Sequence, residues 1–139
     1  MTENLHLYYC DAAIDVRQRA SGVAAVARDA EGRILDVASR CLPGMTNNEA
    51  EYEGFILGLE LALARGDRQA VFLLDSQIVI GQIAGCFAVH DAKLRPRHAR
   101  AARLLAQLPE ATIVHVPRER NQVADALAKE ALERGMERE

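Results

Sequence analysis

The run AVFLLDS, Ala70 to Ser76, constrains the fold more than any other stretch of this chain. Its five consecutive apolar residues are flanked by polar ones, with Arg68 and Gln69 before and Asp75 and Ser76 after. So short an uninterrupted run reads as a strand covered on both faces, because a strand with one wet face alternates polar and apolar residues. Covering both faces takes a layer of helix on each side of a sheet, which is the α/β class.

The flanking sequence supplies those layers. LHLYYCDAA reads as a strand ending near Asp11, and SGVAAVARD and GRILDVASRCL as two more, joined by the tight turn DAEG that closes on Gly32. From Asn47 to about Arg65 the spacing turns helical, with Gly66 and Asp67 as its stop. SQIVIGQIAG predicts a short helix capped by Ser76 and ended by Gly85. A basic amphipathic helix follows over Asp91 to Leu108, closed by Pro109, with Pro96 delaying its regular start. ATIVHVP is a fifth strand, and RERNQVADALAKEALERG a last helix ending at Gly135. The order β-β-β-α-β-α-α-β-α predicts one domain over residues 1–139, a five-stranded mixed sheet with three antiparallel strands and then two parallel ones, and helices on both faces.

Composition narrows the function. No apolar run approaches the roughly 18 residues of a membrane span, and MTENLHLYYC lacks the basic start and apolar middle of a secretory signal, so a cytoplasmic monomer without membrane contact is the default. Cys10, Cys41 and Cys86 are widely separated among apolar neighbours and read as three buried reduced thiols rather than a disulfide framework or a zinc site. A formal net charge of -3 argues weakly against nucleic acid. The basic residues are nevertheless clustered: Lys93, Arg95, Arg97, Arg100 and Arg103 lie on one helix and Arg118 and Arg120 before the next. A run of this kind is ordinarily a solvated helix face.

Four carboxylates do not fit surface decoration. At about 100° per residue, Glu51 falls among Phe55, Gly58, Leu59 and Ala62, while Glu49, Glu53 and Glu60 form a polar stripe on the opposite, solvent-facing side. An ionised carboxylate on an apolar stripe is costly without a cation or an open cleft. Asp75 ends the buried strand, at the strand end where ligands collect in open α/β sheets, and Ser76 is free to cap the next helix in its place. Asp11 shares its strand face with Leu5, Leu7 and Tyr9, and Asp125 sits at the rim of the last helix's apolar face. Brought together, these four would repel one another unless a cation joined them. Ligation by oxygen alone favours Mg²⁺ or Mn²⁺. Carboxylate-held metal pairs serve in-line displacement at phosphorus.

The blocks YYCDAA, TNNEAEYEGFILGLELAL, LLDSQIVIGQIAG and HVPRERNQVADALAKEAL resemble, in order and spacing, the type 1 ribonuclease H family, in particular its compact branch with AEY in the second motif. The resemblance implies the ribonuclease H-like fold and hydrolysis of the RNA strand of RNA–DNA hybrids with two Mg²⁺ or Mn²⁺ ions. It implies Asp11, Glu51, Asp75 and Asp125 as catalytic metal ligands. By the same resemblance Thr46 and Asn121 hold a phosphate of the DNA strand and Asn47 and Asn48 reach the minor groove, with Ser76 also at the substrate.

The chain departs from the family's pattern in three places. Ala12 stands where the family has glycine, and the first loop reads IDVRQRASG, without the asparagine that grips RNA; Arg17 and Arg19 are the available substitutes. The histidine-bearing loop before the last helix is absent, which leaves Arg118 or Arg120 as the candidates for contact with the scissile phosphate or backbone, and His115 as structural. Two further readings stay open: a noncatalytic module of this fold that binds RNA or hybrid, and a related nuclease acting on structured RNA or branched DNA.

Overall fold

The computed structural model describes residues 5–137. The sheet consists of β1 (His6–Asp15), β2 (Ala20–Arg28), β3 (Ile34–Pro43), β4 (Ala70–Leu74) and β5 (Thr112–His115), in the order β3-β2-β1-β4-β5. The first three strands pair antiparallel, and β4 and β5 join in parallel, as the sequence predicts. The helices are α1 (Asn47–Ala64), α2 (Gln77–Ile83), α3 (Arg95–Ala106) and α4 (Gln122–Glu137), with a 3₁₀ turn over Arg118–Arg120. Among the described residues no helix is long and apolar enough to cross a membrane.

Side-chain alternation sorts the two faces. Tyr8, Cys10, Val23, Ala25, Phe72 and Leu74 share one core with Tyr52, Phe55, Leu59 and Ala62 of α1, and α3 closes that side. Phe72 makes edge contact with Phe55 at 5.7 Å between ring centres and stacks on Tyr8 at 5.3 Å. α4 covers the other face. There a Cβ on Gly22 would stand 2.0 Å from the carbonyl oxygen of Ala128, so only glycine lets the helix lie so close to β2.

Several expected boundaries and burials are corrected. β1 does not end near Asp11 but runs to Asp15, because β2 continues to pair with it as far as Asp15 opposite Ala20. The basic helix begins at Arg95, with Pro96 in its first turn where a missing N–H costs nothing. α4 passes through Gly135 to Glu137. Gly135 is a contact rather than a stop, since a Cβ there would meet Cys41 Sγ at 1.8 Å. Only Cys10 is buried; Cys41 and Cys86 are exposed, one on the sheet's edge strand and one in the turn after α2. The stripe of Glu49, Glu53 and Glu60 is not solvent-facing, because α3 packs against it. Arg97 bridges Glu49 at 2.8 Å and Glu53 at 2.9 Å, and Arg100 reaches Glu60 at 2.8 Å. Part of the basic run is therefore an interhelix clamp. His115, expected as a structural residue within a strand, is the last residue of β5 and is exposed.

Candidate active site

The pairing of β1 with β4 extends only from His6–Ala70 to Tyr9–Leu73. Beyond it the two strands part, and a cleft opens at the carboxyl end of β4, where an α/β sheet presents ligands. Asp11 faces that opening from β1, and Asp75 follows the last residue of β4. Ser76 caps α2, its Oγ accepting the Val79 N–H at 3.3 Å, so Asp75 is left free of that task.

α1 delivers Glu51 from the core side. Thr46 caps this helix by accepting the Glu49 N–H at 3.2 Å, while Glu49 returns to the Thr46 N–H at 3.0 Å. This reciprocal box fixes where the first turn begins. Two glycines fix the helix's height above the sheet: a Cβ on Gly54 would lie 2.8 Å from the Asp11 carbonyl oxygen, and one on Gly58 2.4 Å from Cys10 Sγ. Glu51, one turn before Gly54, is thereby held over Asp11.

One carboxylate oxygen from each of Asp11, Glu51 and Asp75 lies within 4.8 Å of the other two. Asp125 borders this triad beside Asp11 without joining it, and its carboxylate is held at 3.0 Å by Lys129 one turn on. The cluster is poorly compensated. Asp11 is 4% exposed and its Oδ2 has no hydrogen-bond partner. Burial, and then the charge of Asp75, push the Asp11 carboxyl up to about 7. Burial, followed by Asp11 and Asp75, pushes Glu51 up to about 8, with Arg118 pulling the other way. Carboxyls so displaced mark a site shaped for a charge not supplied by the protein.

The cleft measures about 290 Å³ and is lined by Asp11, Ala12, Asn47, Glu51, Asp75 and Arg118. Arg118 thus stands at the carboxylates, whereas Arg120 lines a separate hollow on the α4 side with Tyr9, Val26 and Arg28. Thr46 and Asn47 are exposed at the start of α1, and Asn48 is partly covered. Arg17 and Arg19 are exposed in the first hairpin loop, Arg19 with a φ of 53°. Asn121, expected at a phosphate, is instead 1% exposed. Its Nδ2 donates to the Cys10 carbonyl oxygen at 2.8 Å and to Asp75 Oδ2 at 3.1 Å. It ties β1, Asp75 and the start of α4 together, a role that an asparagine before a helix does not reveal in sequence because its partners lie 46 and 111 residues away.

Residues 9–131 match the family model described as Reverse transcriptase-like. The ribonuclease HI of Halobacterium salinarum is 39% identical over 103 residues, 74% of this chain. The chain spans about half of that relative's length, 52%. The crystal structure of RNase H1 from Halobacterium salinarum superposes with a TM-score of 0.88 at 35% identity, covering 93% of this chain and 98% of that one. LC11-RNase H1, solved in complex with an RNA/DNA hybrid, gives 0.88 at 29% identity over 94% of this chain and 99% of the other. With the family model matched over residues 9–131 and an RNase H1 structure superposed over nearly its whole length, the chain belongs to the reverse transcriptase-like family and, within it, to the type 1 ribonucleases H.

Proposed function

We propose that this chain is a metal-dependent endonuclease that hydrolyses the RNA strand of RNA–DNA hybrids, acting as a single ribonuclease H domain. The observation that carries this reading is the meeting of Asp11, Glu51 and Asp75 around a buried, unpartnered Asp11 oxygen. An acceptor-only set of hard oxygens suits Mg²⁺ or Mn²⁺, so the residues fit the family's cofactor. Asp11, Glu51 and Asp75 would hold two such ions with substrate present, and Asp125 would complete the set from α4. When bound, such ions would supply Lewis-acid activation of the attacking water and charge stabilisation at the leaving oxygen.

The remaining residues orient the substrate. Asn47 stands on the cleft rim, so a short amide there can reach a sugar or base edge, with Thr46 and Asn48 beside it. Arg118 lines the same cleft and offers a guanidinium to a phosphate, in the place left by the absent histidine loop; Arg120, on another surface, does not serve that phosphate. Asn121 acts as a positioning residue by holding Asp75. Three free thiols, two of them exposed, suit a reducing cytoplasmic compartment.

The test is cleavage of an end-labelled hybrid with Mg²⁺ or Mn²⁺. Cutting confined to the RNA strand, lost on chelation and in a folded Asp75→Asn variant, is the expected result. Binding of hybrid that survives chelation, with no cutting under either metal, would replace this reading with that of a binding module.

A further inference from the structure

Glu49 commits both of its carboxylate oxygens. One accepts the Thr46 N–H at 3.0 Å, closing the capping box of α1, and the other accepts from Arg97 Nη1 of α3 at 2.8 Å. The same guanidinium donates through Nε to Glu53 at 2.9 Å and through Nη1 to the Lys93 carbonyl oxygen at 3.2 Å. Arg97 is placed for this because Leu94 and Ala101, about one turn to either side of it, are buried and seat α3. Without Arg97, the charges of Glu49 and Glu53 would repel each other one turn apart on the same side of α1.

The box holds one corner of the cleft. Asn47, next to Thr46, lines that cleft with Asp11, Glu51 and Asp75. The corner's other bonds run from the Glu49 N–H to Thr46 Oγ1 at 3.2 Å and from the Ala50 N–H to the Thr46 carbonyl oxygen at 3.0 Å. Both require Thr46 to keep its capping conformation. The carboxylates are secured by different contacts, further along α1. Gly54 lies against Asp11 and Gly58 against Cys10, and the buried Tyr52 donates to Gln82 at 2.6 Å.

We propose that Arg97 is a positioning residue for the hybrid: acting through Glu49, it keeps the corner from Thr46 to Asn48 in the conformation that receives the substrate. The inference rests on the reading of this cleft as a hybrid-cleaving site. Arg97 touches neither substrate nor metal, because its donated bonds go to Glu49, Glu53 and Lys93. A corner ordered in advance spares the complex the entropy of ordering it. Losing Arg97 therefore weakens binding and leaves the chemical step alone. Arg100 provides the comparison. It bridges Glu60 at 2.8 Å between the same two helices, about three turns further along α1, with no link to the corner.

The test is hybrid cleavage with Mg²⁺ or Mn²⁺ by the whole chain in its natural form and as Arg97→Gln and Arg100→Gln, which remove the same charge from the same helix. Arg97→Gln should raise KM by about 3- to 10-fold with kcat nearly unchanged. Arg100→Gln should change neither. Amide hydrogen exchange at Glu49 and Ala50 should quicken in Arg97→Gln alone. Adding Glu49→Gln to Arg97→Gln should raise KM by less than the two separate effects combined. Arg97→Lys keeps the charge and reaches only one glutamate, and it stands in if Arg97→Gln does not fold.

A natural chain that cuts no hybrid removes this inference together with the reading beneath it. In a natural chain that does cut, an unchanged KM or unchanged exchange in Arg97→Gln overturns the inference alone, as does an equal rise in Arg100→Gln. A kcat that falls with affinity, or fully additive effects with Glu49→Gln, would overturn it too. So would a salt dependence of KM weakened by about one phosphate contact, the mark of Arg97 touching the backbone directly.

Discussion

The Asn121 side chain holds Asp75 at 3.1 Å while bonded to the Cys10 carbonyl oxygen at 2.8 Å, so one buried amide fixes the spacing between β1 and the carboxylate after β4. Both amide hydrogens are used, and Asn121 Oδ1 is left without a partner.

Asn121→Asp keeps the shape but sets a second carboxylate against Asp75, where an amide donor stood. Hybrid cleavage should fall by about 10–100-fold, the usual cost of losing a group that orients a metal ligand. Circular dichroism should show the fold retained, and the metal concentration giving half-maximal activity should rise. Unchanged metal dependence would remove Asn121 from the positioning role.

Glu51→Gln should abolish cleavage yet raise the thermal midpoint of the metal-free protein, because it removes a charge that burial disfavours. Glu49→Gln should do the reverse. It weakens both the return bond to the Thr46 N–H and the bridge to Arg97, at a cost of about 1 kcal/mol of stability, and it leaves the cleft carboxylates in place. Denaturant melts and cleavage rates on the two variants separate these effects.

Gly54→Ala introduces a methyl 2.8 Å from the Asp11 carbonyl oxygen. α1 must then lift from β1, carrying Glu51 away from Asp11. We expect about 1–3 kcal/mol of destabilisation, with a loss of cleavage at temperatures where the variant is still fully folded.

The metal-free protein should lose stability as pH rises. Asp11 and Glu51 bind protons more tightly folded, at about 7 and about 8, than unfolded, at 3.8 and 4.5. Between these limits unfolding releases protons, so the free energy of unfolding falls from about pH 4 to about pH 8 and is unaffected by these groups outside that window. Added Mg²⁺ or Mn²⁺ should therefore raise the melting temperature more at about pH 8 than at about pH 5. Equal metal stabilisation at both pH values would mean that the ions bind away from these carboxylates.

Much of this was legible in the sequence, for identifiable reasons. Asp75 was readable because a strand buried on both faces announces itself as an unbroken apolar run, and its end is where a sheet opens. Glu51 was readable because helical periodicity places it on the apolar stripe. The same wheel misjudged Glu49 and Glu53, since it gives a direction around one helix and says nothing of a second helix laid over the polar side. Arg97 lies 44 and 48 residues from the two glutamates, a separation that no local pattern spans. Cys41 and Cys86 were misplaced for a similar reason: apolar neighbours in sequence do not reveal that a strand lies at a margin or that a turn faces solvent.

By itself the sequence determined which elements form, because propensity, periodicity and capping act within a few residues. It also determined the chemical kind of the site, since four carboxylates among apolar neighbours admit few partners. The tertiary structure decided which of them meet. Asp11, Glu51 and Asp75 converge because β1 and β4 part after Tyr9 and Leu73 and because Gly54 lets α1 settle on Asp11, whereas Asp125 stays at the border, held by Lys129. Those distances arise from close packing between segments far apart in the chain, and such packing is a property of the folded whole.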